Sequence, residues 1–260
     1  MRPIVTLTTD FGNRDPYVPA MKGIILSRCP DAQIVDLTHE IPPASVLEGA
    51  LFLASAVPYF PDGTVHVAVV DPGVGTKRQG MVARIAGQRL VCPDNGLLTM
   101  LSHTHPLEGA WAIQNPNFVR EPISPTFHGR DVFAPTAGTL AAGMAAEKAG
   151  APLESIQLLR IAQPHRAGDN RIEGQIIHVD RFGNLITNIH KSLLNQDRPA
   201  RTQAGSYDFD SLSRTFADVP PEDPLALIGS NDHIEIAVNL GNASELLGLR
   251  VGDAVSVEWD

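Results

Sequence analysis

The sequence predicts an α/β fold: an N-terminal α/β domain with a mainly parallel sheet, followed by a small C-terminal β-barrel domain. Three observations carry this. Strand-like and helix-like segments alternate up to about Ala149, the pattern of a parallel sheet with helical crossovers. Val65 to Val70 (VHVAVV) is apolar and β-branched without alternation, as in a strand buried on both faces. Beyond Asn170 the elements shrink to short strands separated by turn residues, as in a small barrel or sandwich.

Taken in order, Pro3 to Thr9 reads as a buried strand that ends at Asp10-Phe11-Gly12. Tyr17 to Cys29 carries apolar positions at helical spacing, and Ile34 to Leu37 is a second short strand. Ser45 to Val57 reads as a helix with Ser45 as N-cap and Glu48 completing a capping box. Met81 to Val91 and Gly109 to Ile113 read as further strands. Pro135 to Ala149 reads as an Ala-rich helix stopped by Gly150. Leu159 to Asn170 has Pro, Gly and charge without apolar periodicity. The expected division is therefore 1–160, a linker at 161–170, and 171–260. Within the last part, strands are expected at Arg171 to Val179, Ser206 to Phe209, Ala226 to Ile228, Ile234 to Val238 and Ala254 to Glu258.

The chain has 260 residues, 43% of them hydrophobic, ample for a sizeable core. Its formal charge of −9 is spread along the chain, which argues against a nucleic-acid partner. Cys29 and Cys92 form no CxxC pair, so neither a zinc site nor a redox motif is expected, and a reducing compartment is the simplest setting. The N-terminus enters a strand at once and lacks a signal-peptide pattern. Apolar runs are too short to span a membrane. A soluble cytoplasmic protein is expected.

Open α/β sheets bind ligands at strand carboxyl ends, and Asp10 and Asp71 occupy two of these. Asp71-Pro-Gly-Val-Gly-Thr-Lys-Arg78 leaves one strand and returns a cation, Arg78, which would orient Asp71; the plain alternative is a surface turn with a weak ion pair. His128, in Thr126-Phe-His-Gly-Arg-Asp-Val-Phe-Ala-Pro135, sits on a glycine-bearing loop where an imidazole can serve catalysis, though most lone loop histidines are surface residues. His103 and His105 have no convergent ligands, and no metal is expected. In Val179-Asp-Arg-Phe-Gly-Asn-Leu-Ile-Thr-Asn188, Asp180, Asn184 and Asn188 lie among apolar residues, where a ligand could satisfy them; a hairpin turn explains them equally. Ile228 to Asn242 repeats the theme and would also be explained by Asx-turns.

The segments TTDFG, VVDPGVGT–R, TFHGRDVFAP, VDRFGNLITNI, TFAD and IGSN–IEIAVN occur in order from Thr8 to Asn239. Together they resemble the S-adenosyl-L-methionine (SAM) hydroxide adenosyltransferases, relatives of the fluorinase and chlorinase. The resemblance implies hydrolysis of SAM to adenosine and methionine without a cofactor. It also implies a homotrimer with active sites between subunits. Carried over by position, Asp71, Arg78 and His128 would be catalytic. Asp10 would bind the ribose hydroxyls, Phe127 would line the site near C5′, and Phe216 would stack on adenine. Asn184 would bond the nucleoside end, Asp180 the methionine ammonium and Ser230, beside Asn231, its carboxylate. Backbone from Val238 to Leu240 would meet the adenine edge. The fluorinase has Tyr where this chain has Asp71 and Ser where it has Gly129. The halogenases carry a large aromatic near Pro43, where this chain has Ala44. After Ser230 the family commonly has Asn-Gly-Tyr; here it is Asn231-Asp232-His233. A carboxylate repels halide and accepts from water, so Asp71 favours water as nucleophile. A halide-using synthase, a non-catalytic adenosyl-ligand sensor and a nucleoside hydrolase are the competing readings.

Overall fold

The computed structural model describes residues 2–195 and 200–259, which divide into two compact units at Leu159/Arg160. Unit 1 runs β1 (Ile4–Thr9), α1 (Tyr17–Arg28), β2 (Gln33–Thr38), α2 (Val46–Ala56), β3 (Val65–Val69), β4 (Gly80–Ile85), β5 (Gln88–Pro93), α3 (Thr99–Thr104), β6 (Leu107–Ala112) and α4 (Ala134–Ala141). Its strands form one sheet in the order β2-β1-β3-β5-β4-β6. The first four are parallel, and β4 and β6 pair antiparallel along one side. β3 is buried along its whole length, as its unalternated sequence predicts. Val65, Val67 and Val69 join one core with residues of α1 and α4. Ala68 and Val70 face a second core with residues of α2 and α3. Helices therefore cover both faces of the sheet.

Three local readings change. Met81 to Val91 is not one strand but the β4–β5 hairpin, closed by Ala86 and Gly87 with φ of 53° and 68°. Two positive φ values make the tight turn whose twist suits a hairpin, but alanine is not a usual residue for it. The helix expected over Pro135 to Ala149 stops at Ala141. Gly143 (φ 100°) follows, and only a 3₁₀ turn at Ala146–Ala149 continues. Upstream, a π-helical turn at Gly129–Phe133 leads into α4. Ser45 does stand at the N-cap of α2, but its side chain makes no capping hydrogen bond.

Unit 2 contains β7 (His165–Arg166), β8 (Arg171–Val179), β9 (Leu185–His190), β10 (Ala200–Ala204), β11 (Tyr207–Phe209), β12 (Leu212–Ser213), β13 (Pro224–Ile228), β14 (His233–Val238), α5 (Ala243–Leu247) and β15 (Ala254–Trp259). The main path runs β11-β10-β15-β8-β9-β14-β13-β12, a nearly closed barrel-like sheet, with β7 pairing to β8. β7 thus lies inside the stretch read as linker. Alternate residues such as Ile172, Ile176, Leu185, Ile234, Ile236 and Val257 fill the interior. No helix among the described residues is long and apolar enough to cross a membrane.

Candidate active site

The chain passes from β1 to β2 on one side and later returns to β3 on the other side of β1. The crevice at the carboxyl ends of β1 and β3 is therefore a topological switch point, where α/β sheets bind ligands. Thr9 lies opposite Val69 in register, so Asp10 and Asp71 emerge close together from neighbouring strands.

The Asp71–Arg78 loop is built from tight turns. Val74 N–H donates to Asp71 O at 3.2 Å, and Thr76 N–H to Gly73 O at 3.2 Å. The Thr76 hydroxyl then donates to Gly73 O at 2.7 Å and accepts from Arg78 N–H at 3.2 Å. This folds Arg78 back onto the residue where the loop began. Its Nε donates to Asp71 Oδ1 at 3.0 Å, and its Nη2 donates to Oδ2. The two side chains are only 8% and 5% exposed, so this is not the solvated surface pair of the plain reading. The Phe133 ring lies beneath the guanidinium, 5.4 Å from Cζ.

His128 arrives from a segment far along the chain. Arg78 Nη2 lies 2.9 Å from His128 Nδ1. A guanidinium has donors only, so Nδ1 must be the acceptor and the ring proton sits on Nε2. Burial, and then the positive charge of Arg78, hold the imidazole pKa below its ordinary value, while Asp71 and Asp131 pull the other way. The neutral tautomer is thus the one the surroundings favour.

Two features that motif reading does not reveal bring these segments together. Gly75 has φ 76°, and a Cβ there would lie 2.4 Å from Pro125 O, so the loop tip rests directly on the backbone preceding His128. Asp131, fully buried, accepts from Arg130 Nη2 at 2.7 Å, Ser124 N–H at 2.9 Å and Arg120 Nη1 at 3.1 Å. Burial would raise its pKa, but these donors outweigh it and hold the carboxyl below its ordinary value. This ties the 120–131 segment around His128.

Asp10 Oδ2 accepts from Ala44 N–H at 2.8 Å, and Ala44 is held at φ 63°. Phe127 packs edge-on against Phe11 and Tyr17, with centroids 6.1 and 5.2 Å away. A Cβ on Gly129 would lie 3.2 Å from Met21 Sδ, Phe11 and Phe127, so the glycine lets these groups close up. Unit 1 therefore gathers Asp71, Arg78 and His128 directly, with Asp10 and Phe127 on adjoining segments.

The remaining sequence-predicted residues lie in unit 2. Asp180 Oδ1 accepts from Phe182 N–H and Asn184 N–H, and Oδ2 accepts from Asn184 Nδ2, all at 2.8–2.9 Å. The turn at Asp180–Asn184 is the hairpin joining β8 and β9. Asn188 is used internally: Oδ1 accepts from Gln175 N–H and Nδ2 donates to Ala162 O. Val238 ends β14 and is buried, whereas Leu240 is 86% exposed with φ 58°. Ser230 and Asn231 occupy the turn before the other end of β14, closed by Gly229 N–H to His233 O at 2.8 Å. Phe216 opens a 3₁₀ turn capped reciprocally by Thr215 and Asp218 and is partly exposed. No group of three or more His, Cys, Asp or Glu side chains placed to hold a metal occurs among the described residues.

Comparison with known proteins identifies the family. The sequence profiles of the SAM hydroxide adenosyltransferase N-terminal and C-terminal domains match residues 5–150 and 174–256. A relative from Thermus thermophilus, (R)-S-adenosyl-L-methionine hydrolase, is 40% identical over 97% of this chain and 98% of its own. The protein of that name from Salinispora arenicola is 38% identical over 98% and 97%. The fluorinase of Nocardia brasiliensis is more distant, at 31% over 99% and 97%. Among solved structures, a conserved uncharacterized protein from Thermotoga maritima superposes with a TM-score of 0.89 at 35% identity, covering 98% of this chain and 99% of that one.

Proposed function

The chain belongs to the SAM hydroxide adenosyltransferase family, and we infer from this membership and from the triad geometry that it hydrolyses SAM to adenosine and L-methionine. The observation that carries the mechanism is the contact of Arg78 with both Asp71 and His128 at the β1/β3 switch point.

In this reading one water accepts a hydrogen bond from His128 Nε2–H and donates to the Asp71 carboxylate. Its free lone pair then faces ribose C5′, opposite the sulfonium. The water oxygen bonds to C5′ as the C5′–S bond breaks, and that electron pair leaves on sulfur as the neutral thioether of methionine. No general acid and no cofactor is required. As the C–O bond forms, the attacking water becomes strongly acidic; its proton passes to Asp71 and on to solvent, leaving adenosine. Arg78 holds the carboxylate and the imidazole in register throughout. Because His128 must be neutral to accept from Arg78, and its pKa is lowered, kcat should stay level through the ordinary histidine range. The acid limb should fall below about pH 6.5, the unperturbed value. A pH profile with its limb at or above that value would remove His128 from this role.

Asp10 and Phe127 belong to the same reading as ribose and C5′ contacts. Asp180, Asn184, Phe216, Ser230, Asn231, Val238 and Leu240 belong to it as contacts to the nucleoside and amino-acid ends. A homotrimer and a cytoplasmic setting complete it, the former open to sedimentation analysis. The deciding experiment is product analysis after incubation with SAM, with and without chloride. Equal amounts of adenosine and methionine, unaffected by chloride, are expected. 5′-Chloro-5′-deoxyadenosine would make it a halide-using synthase, free adenine a nucleoside hydrolase, and binding without turnover a sensor.

A further inference from the structure

We propose that Asn95 is a positioning residue for the Asp71–Arg78 pair. The proposal rests on the hydrolytic reading above. β3 and β5 are in register from Val65↔Arg89 to Val67↔Val91 and then part. Val70, fully buried, is the last residue before Asp71 and lies beyond that register. The Asn95 side chain bridges the gap: its Nδ2 donates to Val70 O at 2.9 Å, in place of a strand partner.

The other end of the loop is held from the same turn. Asp94 N–H donates to Gln79 O at 2.9 Å, one residue beyond Arg78. Residues 94 and 95 therefore fasten the segment immediately before Asp71 and immediately after Arg78. That turn is itself fixed. Asp94 Oδ1 accepts from Gln157 N–H at 2.7 Å, Gly96 adopts φ 105°, and Leu97 is fully buried. Asp94 reaches the loop itself only through its backbone N–H, its side chain being engaged by Gln157. Asn95 acts through a side-chain N–H, which its replacement removes. Asn95 has no role as a substrate contact in the proposed mechanism; it would act by fixing where the Asp71 carboxylate stands. A displacement of about 1 Å at a reacting centre costs on the order of a hundredfold in rate.

The test is steady-state kinetics with SAM, adenosine affinity by calorimetry and thermal melting for Asn95→Ala and Asn95→Asp. Asp71→Asn is measured alongside. Asn95→Asp keeps the size and removes the donor toward Val70 O. Both Asn95 variants should lose between about tenfold and a hundredfold in kcat, with KM and adenosine affinity within about twofold of the parent. An unchanged kcat, or equal losses in kcat and substrate affinity, would overturn the proposal. So would failure of both variants to fold, which would assign the bond to the fold rather than to the site. If Asp71→Asn turns over like the parent, the mechanism itself falls. If Asp71→Asn is dead and the Asn95 variants are unaffected, only the role of Asn95 falls.

Discussion

In unit 1, a pair made within one loop, Asp71–Arg78, is joined by a side chain from a distant segment; in unit 2, Asp180 is satisfied within its own loop. Arg78 meets His128 across fifty positions, and the loop tip at Gly75 rests on Pro125. Asp180, in contrast, accepts from N–H groups two and four residues along the chain. A local arrangement such as that of Asp180 is what any Asx-type turn achieves. A buried carboxylate and guanidinium that also engage a half-buried imidazole from a distant segment cost desolvation, and the contact with His128 closes no local turn. In the proposed mechanism the first arrangement carries the chemistry and the second the recognition of substrate.

The largest effect that could break this contrast is expected at Asp71. Asp71→Asn should lower kcat by about a thousandfold, within the range general-base groups contribute, while adenosine still binds in calorimetry. Next comes a buried imidazole of unit 1 that has no part in the proposed mechanism. His66 is fully buried, with Nδ1 2.7 Å from Thr6 Oγ1, and burial pulls its pKa down to about 4. As pH falls below about 6.5 the unfolded chain takes the proton first, so stability is complete above that value and is lost toward pH 4. The loss should approach about 3 kcal/mol in denaturant titrations, and His66→Gln should flatten the slope over that window. Arg78→Lys should cost roughly a hundredfold in kcat, because an ammonium cannot hold Asp71 through two donors and reach His128 as well. The smallest effect belongs to unit 2. Asp180→Asn keeps one oxygen for the Phe182 and Asn184 N–H groups but loses the charge and the acceptor for Asn184 Nδ2, so KM for SAM should rise about tenfold with kcat little changed. A loss of kcat there as large as at Asp71 would erase the distinction between the units.

Much of this was legible in the sequence where the determinants are local. VHVAVV declares a strand buried on both faces; the spacing from Asp71 to Arg78 allows a returning cation or a plain surface turn, and the buried pair decides for the first. What could not be read depends on partners elsewhere. The Ala-rich stretch after Pro135 looks helical throughout, because alanine favours helix whether or not Gly143 breaks it. The hairpin inside Met81–Val91 was hidden because Ala86, which carries a positive φ at its turn, is not a usual residue for that conformation. Gly75 gains its meaning from Pro125, and Asn95 from the parting of β3 and β5. None of these contacts leaves a pattern in neighbouring residues.

The most direct test of the central claim is a single turnover of SAM in oxygen-labelled water with enzyme in excess. Label is expected in the 5′-hydroxyl of adenosine and nowhere else. Adenosine formed without label at that position would contradict it.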